Sequence, residues 1–86
     1  IYGNVMASDT QEGGNHYRTH CAMCHGDDGR PLMAGAPDFS RGQGLLKPDI
    51  RLLDRIKSGK NACPSYQGIL KDQQIFDVIA YIRMFY

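Results

Sequence analysis

The pentapeptide Cys21-Ala22-Met23-Cys24-His25 constrains this chain more than any other feature. C-x-x-C-H is the attachment signature of a covalent haem. Two thiols three positions apart in a helical turn can reach the two vinyl groups on neighbouring pyrroles and form thioethers. The next residue then projects toward the porphyrin face, where its imidazole can bind iron. The chain has 86 residues, and a domain that small buries a low fraction of its surface and often needs a staple, a metal or a cofactor. The expected cofactor is therefore one haem c, covalent through Cys21 and Cys24, with His25 as an iron ligand.

Three other readings of the motif compete. A thioredoxin-like redox pair would need a preceding strand and a βαβ context, and neither is present. A Cys₃His zinc site could be assembled from Cys21, Cys24, His25 and Cys63. The adjacency of Cys24 and His25 makes a shared tetrahedral ion awkward, and zinc knuckles normally use a second closely spaced pair. A chance occurrence without a cofactor is the third. The odd number of cysteines, 3 in all, excludes a fully paired disulfide framework.

The rest of the chain supplies the context a haem would need. Residues 1–12 are mixed and polar and read as an irregular N-terminal arm. The stretch Gly13–His20 reads as a short helix leading into the motif. Its adjacent glycines cost about 1 kcal/mol each relative to alanine, so either the helix starts after them or a close helix contact needs the missing side chains. Gly26 to Gly44 reads as loop, and unstructured loops longer than ~12–15 residues are usually functional or wrap something. A second helix is signalled from Pro48 to Ser58, with Pro48 at its first position, Ile50, Leu53 and Ile56 on one face, and Gly59 as a stop. Gly59–Leu70 is a second loop. The last helix has Asp72 as a possible cap and Ile75, Val78, Ile79, Ile82 and Phe85 on one stripe. The expectation is one all-α domain over residues 1–86, with three main helices and long loops wrapped around one covalently bound haem.

Composition narrows the partners. Ten basic residues against nine acidic give a formal charge of +1, which argues against nucleic acid. No apolar run reaches the roughly 18–20 residues of a membrane span. The chain carries no basic segment followed by an apolar stretch at its start, so any export signal is expected to be missing from it.

At this point the sequence resembles the class I cytochrome c family, particularly small bacterial single-haem electron carriers, from about Gly14 to Tyr86. Tyr17 is similar to the aromatic on that family's first helix, and Cys24-His25-Gly26-Asp27-Asp28-Gly29 resembles the start of its proximal loop. Ala36-Pro37-Asp38-Phe39 looks like the segment whose proline carbonyl accepts a hydrogen bond from the ligand imidazole. Asp77-Val78-Ile79-Ala80-Tyr81-Ile82-Arg83 is very like the terminal helix, where an aromatic such as Tyr81 packs across the first helix. The resemblance implies a cytochrome c-like fold, and it gives Gly13 or Gly14 a role in close helix approach.

The family also implies a distal methionine in a Gly-Lys-x-x-Met-Pro segment. Here that segment reads Gly59-Lys60-Asn61-Ala62-Cys63-Pro64-Ser65-Tyr66, with cysteine in the methionine's place. A bound Cys63 would be a thiolate, because a ferric ion lowers the thiol pKa. An anionic ligand favours ferric over ferrous iron and lowers the reduction potential. Reduction would weaken its hold, so Cys63 could take up a proton and leave. Met33, Met84, Met6, Met23, His16, His20 and Lys60 are weaker rivals, and an open sixth position is a further alternative. Tyr66 and Arg41 are candidates for hydrogen bonds to the haem propionates; a core tyrosine and a surface arginine are their plainer readings. Lys47, Arg51, Arg55, Lys57 and Lys60 bias the second helix toward positive charge, either as a solvated face or as a docking patch for an acidic partner.

The leading expectation is a one-electron carrier between redox partner proteins (a reductase or an oxidase) rather than an enzyme, located in the periplasm. Two alternatives stand beside it: a haem subunit of a sulfur-compound-oxidising enzyme, and a haem-based ligand or redox sensor. Resemblance of fold alone does not choose among them.

Overall fold

The computed structural model describes residues 8–59 and 65–86, so Met6, Lys60 and Cys63 lie outside the described residues. Among the described residues the regular structure is helical throughout: α1 (Thr10–His20), α2 (Ala22–His25), α3 (Asp49–Ser58) and α4 (Asp72–Arg83), with a 3₁₀ turn at Phe39–Arg41. Three long helices match the expectation. The single turn of α2 is the attachment motif itself.

The arm expected over residues 1–12 is too long, because α1 already begins at Thr10. Asp9 is extended, and its Oδ1 accepts the backbone N–H groups of Gln11 at 3.0 Å and Glu12 at 3.1 Å. That cap satisfies donors at the helix start and is worth about 1 kcal/mol. Arg18 and His20 occupy the last turn, where positive charge suits the helix dipole. Gly13 and Gly14 are buried inside the helix. A Cβ at Gly13 would collide with the Asp77 backbone carbonyl of α4, and one at Gly14 would lie 2.9 Å from the Tyr81 ring. The glycines are therefore the contact between α1 and α4.

Other groups fasten that crossing. The buried Asp77 carboxylate accepts the Asp9 backbone N–H at 2.9 Å and Gln73 Nε2 at 3.0 Å. Tyr17 is fully buried, with ring centroids 5.4 Å from Tyr81 and 5.3 Å from Phe85. Offset and edge-on aromatic pairs of this kind add roughly 0.5–1.5 kcal/mol beyond their burial.

The stripe on α4 is buried as its periodicity predicts: Ile75, Val78, Ile79 and Ile82 face inward, each worth about 1.5–3 kcal/mol. The cap differs from the expectation. Lys71 precedes the helix and donates its backbone N–H to Gln74 Oε1 at 2.8 Å, while Asp72 is the first helical residue. On α3, Pro48 is the residue before the helix rather than its first position. Leu53 is buried and Leu52 and Ile56 are half-buried, but Ile50 is 55% exposed. The inward face of α3 is thus rotated from the Ile50-Leu53-Ile56 stripe toward Leu52, Leu53 and Ile56. Arg83 ties the end of α4 to the start of α3 through Asp49 Oδ1 at 2.8 Å and the carbonyls of Leu45 and Lys47, both at 2.8 Å.

Candidate functional site

The helices do not close on one another at the centre. Two buried clusters form instead, one around Tyr17, Ala22, Phe39, Leu45, Val78 and Ile82, the other around Leu53, Tyr66, Leu70, Ile75 and Ile79. A cavity of about 400 Å³ is lined by members of both. Cys21, Cys24 and His25 occupy one edge of it, Met33, Pro37 and Phe39 belong to the loop wall, Leu52, Arg55 and Ile56 to α3, and Val78, Ile79 and Ile82 to α4. Among the described residues no aspartate or glutamate lines it.

The attachment residues reach this edge because α1 ends there. The Cys21 backbone N–H donates to Tyr17 O at 2.8 Å, and Gly26, at φ 80°, closes α2 by donating to Ala22 O at 2.8 Å. The chain then folds back beneath His25. Cys24 O accepts from the N–H groups of Leu32 and Met33 at 2.8 and 3.1 Å, and Gly29 O accepts from Phe39 N–H at 2.9 Å. These bonds set the Phe39 ring flat against the His25 imidazole, with centroids 4.7 Å apart and planes inclined by 20°. Tyr17 Oη, deep in the core, donates to the Gly26 carbonyl at 2.6 Å and so joins α1 to the turn that follows His25.

Burial lowers the His25 pKa below its ordinary value, and the positive charge of Arg55 lowers it further. Both effects favour the neutral imidazole, the form that binds a metal. Its Nδ1 is buried without a hydrogen-bond partner. The hydrogen bond expected from this imidazole to the Pro37 carbonyl is therefore not formed: with the ring held against Phe39, Nδ1 meets no acceptor, and Pro37 serves as cavity wall. A nitrogen left so costs about 1–3 kcal/mol.

Tyr66, a candidate partner of the haem propionates, lines the same cavity. It is buried, and its hydroxyl donates to the His20 carbonyl at 2.9 Å, while its ring stands edge-on to the His20 ring at 5.4 Å. That bond ties Tyr66 to the end of α1. Arg41 is exposed and lies away from the lining. Of the rival iron ligands among the described residues, His20 and Met33 line the cavity, and Met23, Met84 and His16 do not.

The donor set fits a haem. Two thiols and a neutral imidazole within five residues share one edge of a cavity with apolar walls. Among the described residues, no three His, Cys, Asp or Glu side chains converge on a bare metal ion. The site is arranged for a flat apolar macrocycle that brings its own metal.

Comparison with known proteins agrees. Residues 8–82 match the family described as cytochrome C oxidase, cbb3-type, subunit III. Cytochrome c6 of Thermosynechococcus vestitus is 32% identical over 81 residues, covering 91% of this chain and 71% of the relative. Cytochrome c6 of Synechococcus elongatus is 32% identical over 78 residues, covering 87% and 88%. The chain belongs to the class I c-type cytochromes. This c-type cytochrome also superposes on the KustC0563 c-type cytochrome with a TM-score of 0.75 at 25% identity, over 85% of the present chain and 95% of the other.

The sequence places neither Phe39 nor Arg55 at the cavity. Phe39 lacked a signal, because its partnership with His25 depends on how the loop folds back. Arg55 had one: it lies three residues after Leu52 and next to Ile56, on the helix face that borders the cavity.

Proposed function

We propose that this c-type cytochrome carries single electrons on one haem c between redox partner proteins in the periplasm, with Cys63 in the second axial position. The observation that carries the reading is the half-buried His25, its pKa lowered toward the neutral form, beside Cys21 and Cys24 on the edge of an apolar cavity that no acidic side chain lines among the described residues. Thioethers at Cys21 and Cys24 would hold the group, and His25, backed by Phe39, would hold its iron. When bound, the haem supplies a metal centre that gains and loses one electron. Leu52, Ile56, Val78 and Ile79 keep water from that centre, so a change of charge there is poorly screened. No helix among the described residues is long and apolar enough to cross a membrane. Cytochrome c6 relatives support the electron-carrier reading.

A cysteine thiolate in place of the family's methionine makes this carrier a low-potential one, because an added anion stabilises the ferric state. The test is a spectroelectrochemical titration of the holoprotein and its Cys63→Met variant. The expected result is a one-electron transition at low potential that rises in the variant, together with loss of the low-spin thiolate signal in electron paramagnetic resonance. Identical potentials and spectra would remove Cys63 from the iron. Turnover of a thiosulfate-like substrate by the isolated chain, or carbon monoxide binding to the ferrous form, would overturn the carrier reading in favour of an enzyme subunit or a sensor.

A further inference from the structure

The wall contributed by α3 carries one feature that neither attachment nor ligation uses. Arg55 is half-buried and lines the central cavity on one side and a surface groove formed by Lys47, Arg51, Asp54, Ser58 and Gly59 on the other. Among the described residues no carboxylate pairs with it: the ion pairs of this region are Lys57 with Asp72 and Arg83 with Asp49. Lys47 lines the same cavity but is exposed. Among the described residues, Arg55 is thus the less solvated of the two Lys and Arg side chains at a cavity without an acid on its wall. A half-buried, unpaired guanidinium is costly unless something nearby offsets its charge.

We propose that the Arg55 guanidinium, on the α3 wall of the haem cavity, holds up the reduction potential of the bound haem. The inference rests on the electron-carrier reading and deepens it. One electron delivered by a reducing partner protein lowers the charge at the cavity centre by one. Arg55 stays protonated in both states, since a guanidinium does not titrate in this range, so no proton accompanies the electron. A fixed positive charge behind apolar walls favours the state with the extra electron, by an energy that falls as water screens it. Arg55 therefore opposes the potential-lowering effect of an axial thiolate, and Lys47, being exposed, contributes less.

The experiment is spectroelectrochemical titration of wild-type holoprotein, Arg55→Gln, Arg55→Met, Arg55→Lys and Lys47→Gln, with haem content measured on each as the pyridine haemochrome. Neutralising Arg55 is expected to shift the ferric-to-ferrous ratio about tenfold toward ferric, a fall of about 59 mV for one electron. Arg55→Lys is expected to keep most of the wild-type potential, and Lys47→Gln to move it less than Arg55→Gln. Should Arg55→Met fail to load haem, the polar, neutral Arg55→Gln carries the comparison. Loaded neutral variants with the wild-type potential would overturn the assignment, as would Arg55→Lys falling as far as Arg55→Gln, which would mark a role in packing. A wild-type chain without haem would instead strike at the carrier reading itself.

Discussion

Tyr17 joins three parts of the molecule at one side chain: its ring packs on Tyr81 and Phe85 of the C-terminal segment, and its hydroxyl holds the turn after His25 through the Gly26 carbonyl. Tyr17→Phe keeps the ring and leaves that carbonyl only the long bond from the Gly29 N–H at 3.4 Å, with an expected loss of about 1–2 kcal/mol in chemical denaturation. The same residue gives a pH dependence. Burial pushes its pKa well above the ordinary value of 10.0. The folded state thus binds the phenolic proton more tightly than the unfolded state. Its contribution to stability is complete below about pH 10 and is lost as pH rises beyond it. Wild type should lose stability more steeply than Tyr17→Phe above that pH, and parallel curves would contradict the assignment. At His25 the support is aromatic rather than polar. Phe39→Leu should retain haem but loosen the imidazole, read as a broadened axial signal in electron paramagnetic resonance, whereas an unchanged signal would deny Phe39 that role.

At the scale of elements, the crossing of α1 and α4 decides the architecture, and Gly13 is its tightest point. An alanine there improves helix propensity by up to about 1 kcal/mol. It also drives a methyl into the Asp77 backbone carbonyl, and overpacking of that kind costs about 1–3 kcal/mol. Gly13→Ala is expected to destabilise the protein by about 1–2 kcal/mol net in thermal or chemical denaturation; a gain in stability would show that the helices can separate at no cost. This crossing also shows how far the sequence could be read. The α4 stripe was legible because Ile75, Val78, Ile79 and Ile82 repeat at helical spacing. The start of α1 was not, since the penalty of two glycines is local and visible whereas their compensation lies 64 residues away at Asp77. The inward face of α3 was misjudged for a related reason: Leu52, Arg55 and Ile56 face a cavity, and its shape follows from the fold as a whole. For the site, the attachment motif was plain in five consecutive residues. The Phe39 stack and the bond from the Tyr66 hydroxyl to His20 depend on loop closure that no local pattern encodes.

For the whole molecule, the two buried clusters meet around a cavity rather than forming a continuous core. In a chain of 86 residues the apolar body that fills such a space carries a large share of the stability. The paired variant Cys21→Ser/Cys24→Ser should therefore lose much of its far-UV helical signal and its cooperative unfolding transition as well as its colour. A variant that stays fully helical and cooperative would show that the polypeptide closes the gap by itself. The most direct test of the central claim is the intact mass of the denatured holoprotein, purified from a host able to attach haem. The expected value is the polypeptide mass plus one haem, with the increment absent from the paired serine variant. A helical, folded chain at the bare polypeptide mass, with unmodified thiols at Cys21 and Cys24, would contradict it.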